Sequence, residues 1–485
     1  MSYEETDNTI SLSGALPTTD KTGKVRLTEG EYFDFKVSSS ITGNVNINYE
    51  ISAKDVTTAE RKIDGSNIKL YLTELADGKE QELMTPEVYN EETSSNTYTG
   101  RPANEMSLYT SSMNSSEEHT YRLRMYVDES YNPQGDGGNL SFSVKINVYG
   151  KDGEKPPTPT AVETLLAKEN PEDLDYNTAT DEQKKEMWTF SHPETEQTEA
   201  LTDYRYIGAD PNNYVTFNNE TWRIIGVFTV DDGTGNVEER LKLIRNESIG
   251  DYSWDNKDTS TGAEGVHGKN NWTDARLNYL LNPGHESESI GGSLYWNSGS
   301  GTCYSGSGNA TTNCDFTTTG LKEEAREMIG DTLWYLGGTS NYTSSTNGLT
   351  SHFYSYERGT TVYSGRDTSW VGKVGLMYLS DYGYATSGGS TTDRNACLNK
   401  ELYNWASSDF SDCKNNDWIF NSSLQWTITP PASRSDTVLI LGDAGYVSEG
   451  NAKNAYGVRP VVFLKSNIKI IDGDGSSSNP YILPE

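Results

Sequence analysis

The stretch Leu140-Ser141-Phe142-Ser143-Val144-Lys145-Ile146-Asn147-Val148 is apolar at every second position, with Ser, Lys and Asn between. Side chains of an extended strand point alternately to opposite faces, so this stretch reads as a strand with one buried and one wet face. Working back from it, residues 32–37, 45–51, 68–72 and 121–127 carry β-branched and aromatic residues separated by turn signals. Several short strands of this kind make residues 1–150 an all-β unit, expected as an immunoglobulin-like sandwich. Its polar loops carry no catalytic pattern.

Forward of the same stretch, residues 151–160 (KDGEKPPTPT) read as a linker whose prolines favour an extended spacer. Residues 161–203 are expected as a helical, acidic connector. Its helices are placed at 161–168 and 181–188, the second capped by Thr180 or Asp181. From 204 to 485 the character changes. Residues 222–230 and 240–245, joined by the turn 231–236 (DDGTGN), form a β-hairpin. A helix is expected over 272–281, capped by Thr273 or Asp274, with Leu277, Leu280 and Leu281 on one face. Another is expected over 322–329. Residues 282–425 otherwise form a long irregular region rich in Gly, Ser, Thr, Asn and Tyr. Strands return at 426–429, 437–441, 445–447 and 458–464, before an Asp-Gly turn within 471–480. The fold class is mainly β, with an α+β C-terminal domain.

Asp and Glu number 71 against 39 Lys and Arg, a formal net charge of −32. Such a field repels phosphate backbones, so no nucleic-acid partner is expected, and it keeps the chain soluble. No stretch approaches the ~20 apolar residues that span a bilayer. The N-terminus lacks a charged-then-apolar signal segment. Two expectations follow: a cytosolic chain, or an ectodomain with a replacement start methionine. The four cysteines fall into two local pairs, Cys303 with Cys314 and Cys397 with Cys413. A disulfide closing a loop of about a dozen residues contributes ~3 kcal/mol through chain entropy. Four separate thiols in a reducing compartment are the alternative. Loop-rich composition fits the oxidising one, and with it an extracellular, cell-surface location.

The five histidines (His119, His192, His267, His285, His352) are isolated, without a metal-ligand spacing. There is no nucleophile elbow and no phosphate-cradling glycine loop. Asp472-Gly473-Asp474-Gly475 has the flavour of a calcium loop but lacks the EF-hand spacing and terminal Glu, and reads as a hairpin turn. No metal, no cofactor, no catalytic residue and no enzymatic activity are expected. Ten Trp and thirty-one Tyr among Ser, Gly and Asn loops make a binding-surface composition, although most of the aromatics must be core.

Gln425-Trp426-Thr427-Ile428-Thr429-Pro430, a mixed stretch to Asn454, and Ala455-Tyr456-Gly457-Val458-Arg459-Pro460-Val461-Val462-Phe463-Leu464 together resemble the end of C-type-lectin-fold domains. These are related to the formylglycine-generating-enzyme fold and occur in surface proteins of gut Firmicutes. Thr221-Trp222-Arg223-Ile224-Ile225-Gly226-Val227, Gly375-Leu376-Met377-Tyr378 and Asp381-Tyr382-Gly383-Tyr384-Ala385 extend the resemblance over residues 200–470. Some such proteins are the variable proteins of diversity-generating retroelements, whose last strands carry a hypervariable binding surface. The resemblance then implies ligand contacts at Pro431, Ser433, Arg434, Asp436, Leu439, Leu441, Asp443, Ser448, Glu449, Asn451, Lys453 and Asn454. Leu439 and Leu441 alternate with Val438 and Ile440, so either one set faces outward or the strand is buried on both faces. Glu449 and Lys453 fit adenine-directed diversification poorly, because neither arises readily from an Asn codon. Neither Glu-Pro-Asn nor Trp-Asn-Asp is present, so calcium-mediated sugar binding is not implied. The cysteines resemble loop staples rather than the catalytic pair of the formylglycine-generating enzymes. Val45-Asn46-Ile47-Asn48-Tyr49 and Tyr121-Arg122-Leu123-Arg124 resemble β-sandwich units of secreted Gram-positive fibre and matrix proteins.

The expectation is a cell-surface adhesin or receptor-binding protein. An Ig-like stalk would carry a C-type-lectin-like head that binds a surface protein or glycan of another cell. Two alternatives stand beside it. One is a pilus or matrix subunit that self-assembles through the N-terminal domain; the other is a glycan-active enzyme.

Overall fold

A computed structural model describes residues 2–4, 9–26, 32–41, 45–76, 78–132, 140–153, 159–194, 200–258 and 262–484. The chain divides into two compact units, Met1–Pro157 and Thr158–Glu485. Strand outweighs helix in the described residues, so the protein is mainly β. Of the expected linker, residues 154–158 lie outside the described residues, and Lys151 and Asp152 belong to a strand.

The described residues of the first unit form ten strands: β1 (Ser2–Glu4), β2 (Thr9–Ser13), β3 (Pro17–Thr18), β4 (Tyr32–Ser38), β5 (Ile47–Asp55), β6 (Ile68–Ala76), β7 (Lys79–Val88), β8 (Met106–Met113), β9 (Glu118–Asp128) and β10 (Ser141–Asp152). One sheet runs β1-β4-β9-β6-β7, with β3 on β9, and the other runs β2-β10-β5-β8. β10 lies between β2 and β5, antiparallel to both. Phe142, Val144 and Ile146 are fully buried, while Ser143, Lys145 and Asn147 between them stay partly exposed. That alternation is what drives the sheet onto its partner, because only one face of β10 is apolar. The two sheets share one core, with Tyr121, Leu123, Met125 and Val127 of β9 meeting Tyr49, Ile51 and Ala53 of β5. Tyr49 and Tyr121 meet hydroxyl to hydroxyl at 2.6 Å inside it, one donating to the other, so each buried hydroxyl has a partner.

The second unit is built on an eight-stranded sheet. Its strands are β11 (Trp188–His192), β12 (Leu201–Arg205), β13 (Tyr214–Phe217), β14 (Glu220–Asp231) and β15 (Val237–Arg245), followed in the chain by β16 (Asp251–Ser253), β17 (Ser300–Tyr304), β18 (Thr311–Asp315), β19 (Thr332–Tyr335), β20 (Ser369–Gly372), β21 (Val374–Gly375), β22 (Gln425–Trp426), β23 (Thr437–Leu441), β24 (Val447–Asn451), β25 (Ala455–Gly457), β26 (Val461–Phe463) and β27 (Tyr481–Ile482). The large sheet runs β11-β12-β14-β15-β26-β21, with β13 bridging β14 and β27. A second sheet runs β16-β25-β22-β23-β24. The β14–β15 hairpin stands where the sequence puts it, with a bulge between Ile224 and Gly226. Gly226 is required there: a Cβ on it would lie 2.0 Å from the Tyr204 carbonyl oxygen of the neighbouring strand.

Residues 161–203 are not a connector. Ala161, Val162 and Leu165, on the helix Ala161–Leu166 with its Thr160–Glu163 capping box, sit in the main core. β11 and β12 pair with each other and join the large sheet. The helix expected over 181–188 shrinks to one 3-10 turn, Gln183–Lys185. The Asn170 amide donates to the carbonyls of Gln183 and Met187 and ends the turn there, and Trp188 then starts β11. The helix expected over 272–281 splits into a 3-10 turn, Trp272–Asp274, and the helix Arg276–Leu281. The 322–329 helix forms as Glu323–Met328. The irregular stretch 282–425 contains short paired strands and four further helices: Thr350–Glu357, Leu379–Ala385, Arg394–Leu398 and Ser411–Asn415.

Both disulfides form. Cys303–Cys314 crosses the β17–β18 hairpin, and Cys397–Cys413 ties the helix Arg394–Leu398 to Ser411–Asn415. They suit an oxidising compartment. No helix of the described residues is long and apolar enough to cross a membrane.

A chain of buried ionisable side chains runs through this unit. His192 Nε2 lies 3.0 Å from Asp203 Oδ2, and that oxygen accepts from Arg205 Nη2 at 2.9 Å. Arg205 Nη1 reaches Asp381 Oδ1 at 3.1 Å, and Lys242 Nζ reaches Asp381 Oδ2 at 2.5 Å. All five residues are buried. Burial pushes Asp203 upward, but Arg205 and His192 hold it well below the usual carboxylate range. Burial lowers Lys242 to about 8, against the pull of Asp381. Each charge has a partner, so the chain fixes which strand and helix faces meet.

Candidate functional site

β23 has the sequence Thr-Val-Leu-Ile-Leu and is buried along its whole length. Leu439 and Leu441 are 0% exposed, like Val438, and Ile440 is 4% exposed. The strand is covered on both faces, so the two leucines are core residues and cannot contact a ligand. Pro431 is buried, and its neighbour Pro430 packs against Gly338, where an added Cβ would lie 1.9 Å from the Pro430 carbonyl oxygen. Asp436 is only 2% exposed. These four positions therefore leave the expected contact set: Leu439, Leu441 and Pro431 as packing, Asp436 as a buried acid beneath the surface.

Of the remaining positions, Ser433, Arg434 and Asp443 are exposed, and Ser448, Glu449, Asn451, Lys453 and Asn454 are half-buried. Ser433 and Arg434 are exposed, on a loop pinned at three points: the Ala432 N–H donates to the Thr339 carbonyl, Asn270 Nδ2 to Arg434 O, and Arg366 Nη2 to Ser435 O. Arg434 Nε lies 3.4 Å from Asp436 Oδ1, and its Nη1 lies 3.9 Å from Glu449 Oε2. β24 pairs antiparallel with β23, placing Ser448 opposite Ile440, Glu449 opposite Leu439 and Asn451 opposite Thr437. Burial pushes the Glu449 carboxyl up, with Arg434 pulling it down and Asp436 adding to the rise. Lys453 and Asn454 follow in the turn to β25; the Lys453 N–H donates to the His267 carbonyl, and Asn454 Nδ2 donates to the Tyr456 hydroxyl at 2.8 Å.

Asp443 is exposed but lies in the turn at the other end of the hairpin, the length of a five-residue strand away, roughly 17 Å. The structure thus gathers Arg434, Glu449, Asn451, Lys453 and Asn454 toward one end and leaves Asp443 apart. It also adds two residues that the strand pattern did not single out. Tyr342 lies beside Ser448 and Glu449, and its ring centroid is 6.2 Å from that of Tyr403, which is 45% exposed. Both come from the Gly/Ser/Asn-rich stretch, where composition signalled binding aromatics without saying which of them reach the surface.

The arrangement has the parts of a recognition surface: a guanidinium and a carboxylate in partial contact, amides, an ammonium and two tyrosines on a pinned scaffold. Among the described residues no group of three or more His, Cys, Asp or Glu could hold a metal ion. The Asp472 and Asp474 carboxylates accept from the backbone N–H of Gly473 and Ser476, and Gly473 and Gly475 take φ of +90° and +79° there. No protein-family model matches this chain, and no curated protein matches it.

Proposed function

We propose that this protein is an extracellular binder of the adhesin or receptor-binding kind: an Ig-like stalk module followed by a C-type-lectin-like head. Ligand contact is made by Arg434, Glu449, Asn451, Lys453 and Asn454, with Tyr342 and Tyr403 as aromatic anchors. The ligand is a surface protein or glycan of another cell. One observation carries the reading: β23 is buried on both faces, while the polar side chains flanking it and paired with it are exposed or half-buried. A hairpin held this way keeps its outer side chains in place before a partner arrives, so less entropy is lost on binding. The outer positions can also change without disturbing the core, which is what a variable surface needs. The two disulfides support an oxidising location for such a head.

The test is binding of the full chain to glycan and surface-protein arrays beside a variant carrying Arg434→Ala, Glu449→Ala and Tyr403→Ala. A ligand lost by the folded variant supports the site. A ligand retained at full strength moves the site elsewhere, and self-assembly without any ligand favours a matrix subunit. Diversification has its own check in the gene. A near-duplicate of the codons for residues 425–465 beside a reverse-transcriptase gene, differing mainly at adenines, is the expected finding.

A further inference from the structure

A cleft of about 300 Å³ opens in the second unit, and none of its lining residues belongs to β23 or β24. It lies between β12, the β14–β15 hairpin and β19, with apolar walls made by Phe228, Val230, Leu333 and Phe463. Its size is at the small end of ligand pockets.

Two cations line it, Lys242 and Arg358. Lys242 is already committed to Asp381. Arg358 is not. Its guanidinium lies over the Tyr354 ring, 3.6 Å from the centroid. Among the described residues its one hydrogen bond runs from Nη1 to the Tyr354 carbonyl at 3.2 Å, and it forms no ion pair. The nearby acids are occupied. Asp203 serves His192 and Arg205. Glu357 accepts from the backbone N–H groups of Leu379 and Ser380 and from the hydroxyls of Ser380 and Thr429. Asp231, at the rim, accepts from Gly233 and Gly235 in its own turn. A guanidinium held over an aromatic ring, with donors to spare, can pair side-on with a carboxylate.

We propose that this cleft is a second binding site, taking a small organic monocarboxylate whose apolar or aromatic body lies against Phe228, Leu333 and Phe463 while Arg358 grips the carboxylate. Lys242 adds positive charge at the floor. A single negative charge is selected because Asp203 and Asp231 line the same cleft and oppose a second one. The site does not depend on the hairpin surface.

The probe is 4-fluorophenylacetate, followed by fluorine NMR with the full chain, beside the neutral isostere 4-fluorophenylacetamide. Saturable broadening of the acid is expected, with the amide and Arg358→Gln each weaker by about tenfold or more. Val230→Trp fills the cleft without removing a charged residue and is expected to abolish acid binding while the thermal midpoint stays near the parent's; it decides the matter if Arg358→Gln does not fold. The Arg434→Ala, Glu449→Ala, Tyr403→Ala variant should bind the acid like the parent, which separates this site from the hairpin. Equal binding of acid and amide, unchanged binding in folded Val230→Trp, or no saturable broadening up to about 10 mM acid would overturn the proposal.

Discussion

Arg434 and Leu439 are close in sequence and respond to different physics. The Arg434 side chain is 49% exposed and its two carboxylate contacts are long, so Arg434→Ala should move stability by no more than about 0.5 kcal/mol. Leu439→Ala opens a cavity in a core with no solvent-facing side and should cost about 2–5 kcal/mol. Urea unfolding of the two variants checks both, and equal, small effects would mean that β23 is exposed after all. His192 supplies a pH signal. It is buried, its ring lies 3.7 Å from that of Tyr354, and burial holds its pKa below 6.5 against the pull of Asp203. The unfolded chain therefore takes this proton first as pH falls past 6.5, so the folded state loses stability on the acid side and gains nothing above it. His192→Gln should flatten the fall in stability between about pH 7 and 5 relative to the parent. An unchanged slope would remove His192 from the account.

At the scale of elements, two devices hold the irregular stretch in shape. Glu357, at the end of the helix Thr350–Glu357, accepts from the first N–H groups of the helix Leu379–Ala385 and from the hydroxyl of Thr429 just after β22. Burial pushes its carboxyl up to about 7 even though Ser380 pulls it down. Glu357→Ala leaves several buried donors without an acceptor, at about 1–3 kcal/mol each. Faster hydrogen exchange at the Leu379 and Ser380 amides is the expected readout, and parent-like exchange would show that the clamp is not needed. The disulfide Cys397–Cys413 closes a loop with a sequence separation of 16. Replacing both cysteines with Ala should cost about 3 kcal/mol, chiefly by freeing the unfolded chain.

For the whole molecule, the two units have separate cores with no residue in common. Calorimetry of the full chain should resolve two unfolding transitions. All four cysteines lie in the second unit, so dithiothreitol should lower one transition and leave the other in place. A single transition that shifts as a whole would show that the units unfold together. The chain carries a formal net charge of −32, a field that repels phosphate backbones.

Local patterns were readable from the residues alone. Alternation placed β10, and the apolar flanks of an Asp-Gly-rich turn placed the β14–β15 hairpin, because strand pairing across a tight turn depends on residues only a few positions apart. The cysteine pairs were readable for the same reason, each spanning a short loop. Other features depended on segments far away in the chain. Thr-Val-Leu-Ile-Leu has no polar position to mark an outer face, so only the surrounding core shows that Leu439 and Leu441 are inside. The segment 181–188 has a helix-like pattern, but Asn170 and β12 draw its end into a strand. The buried chain from His192 through Asp203, Arg205 and Asp381 to Lys242 joins residues that look like ordinary surface charges in the sequence. The residues alone therefore determined the mainly β character, the main hairpin and the two crosslinks. Tertiary structure decided which apolar strand faces are covered and which charges are buried together, because burial is set by what distant segments bring to a position.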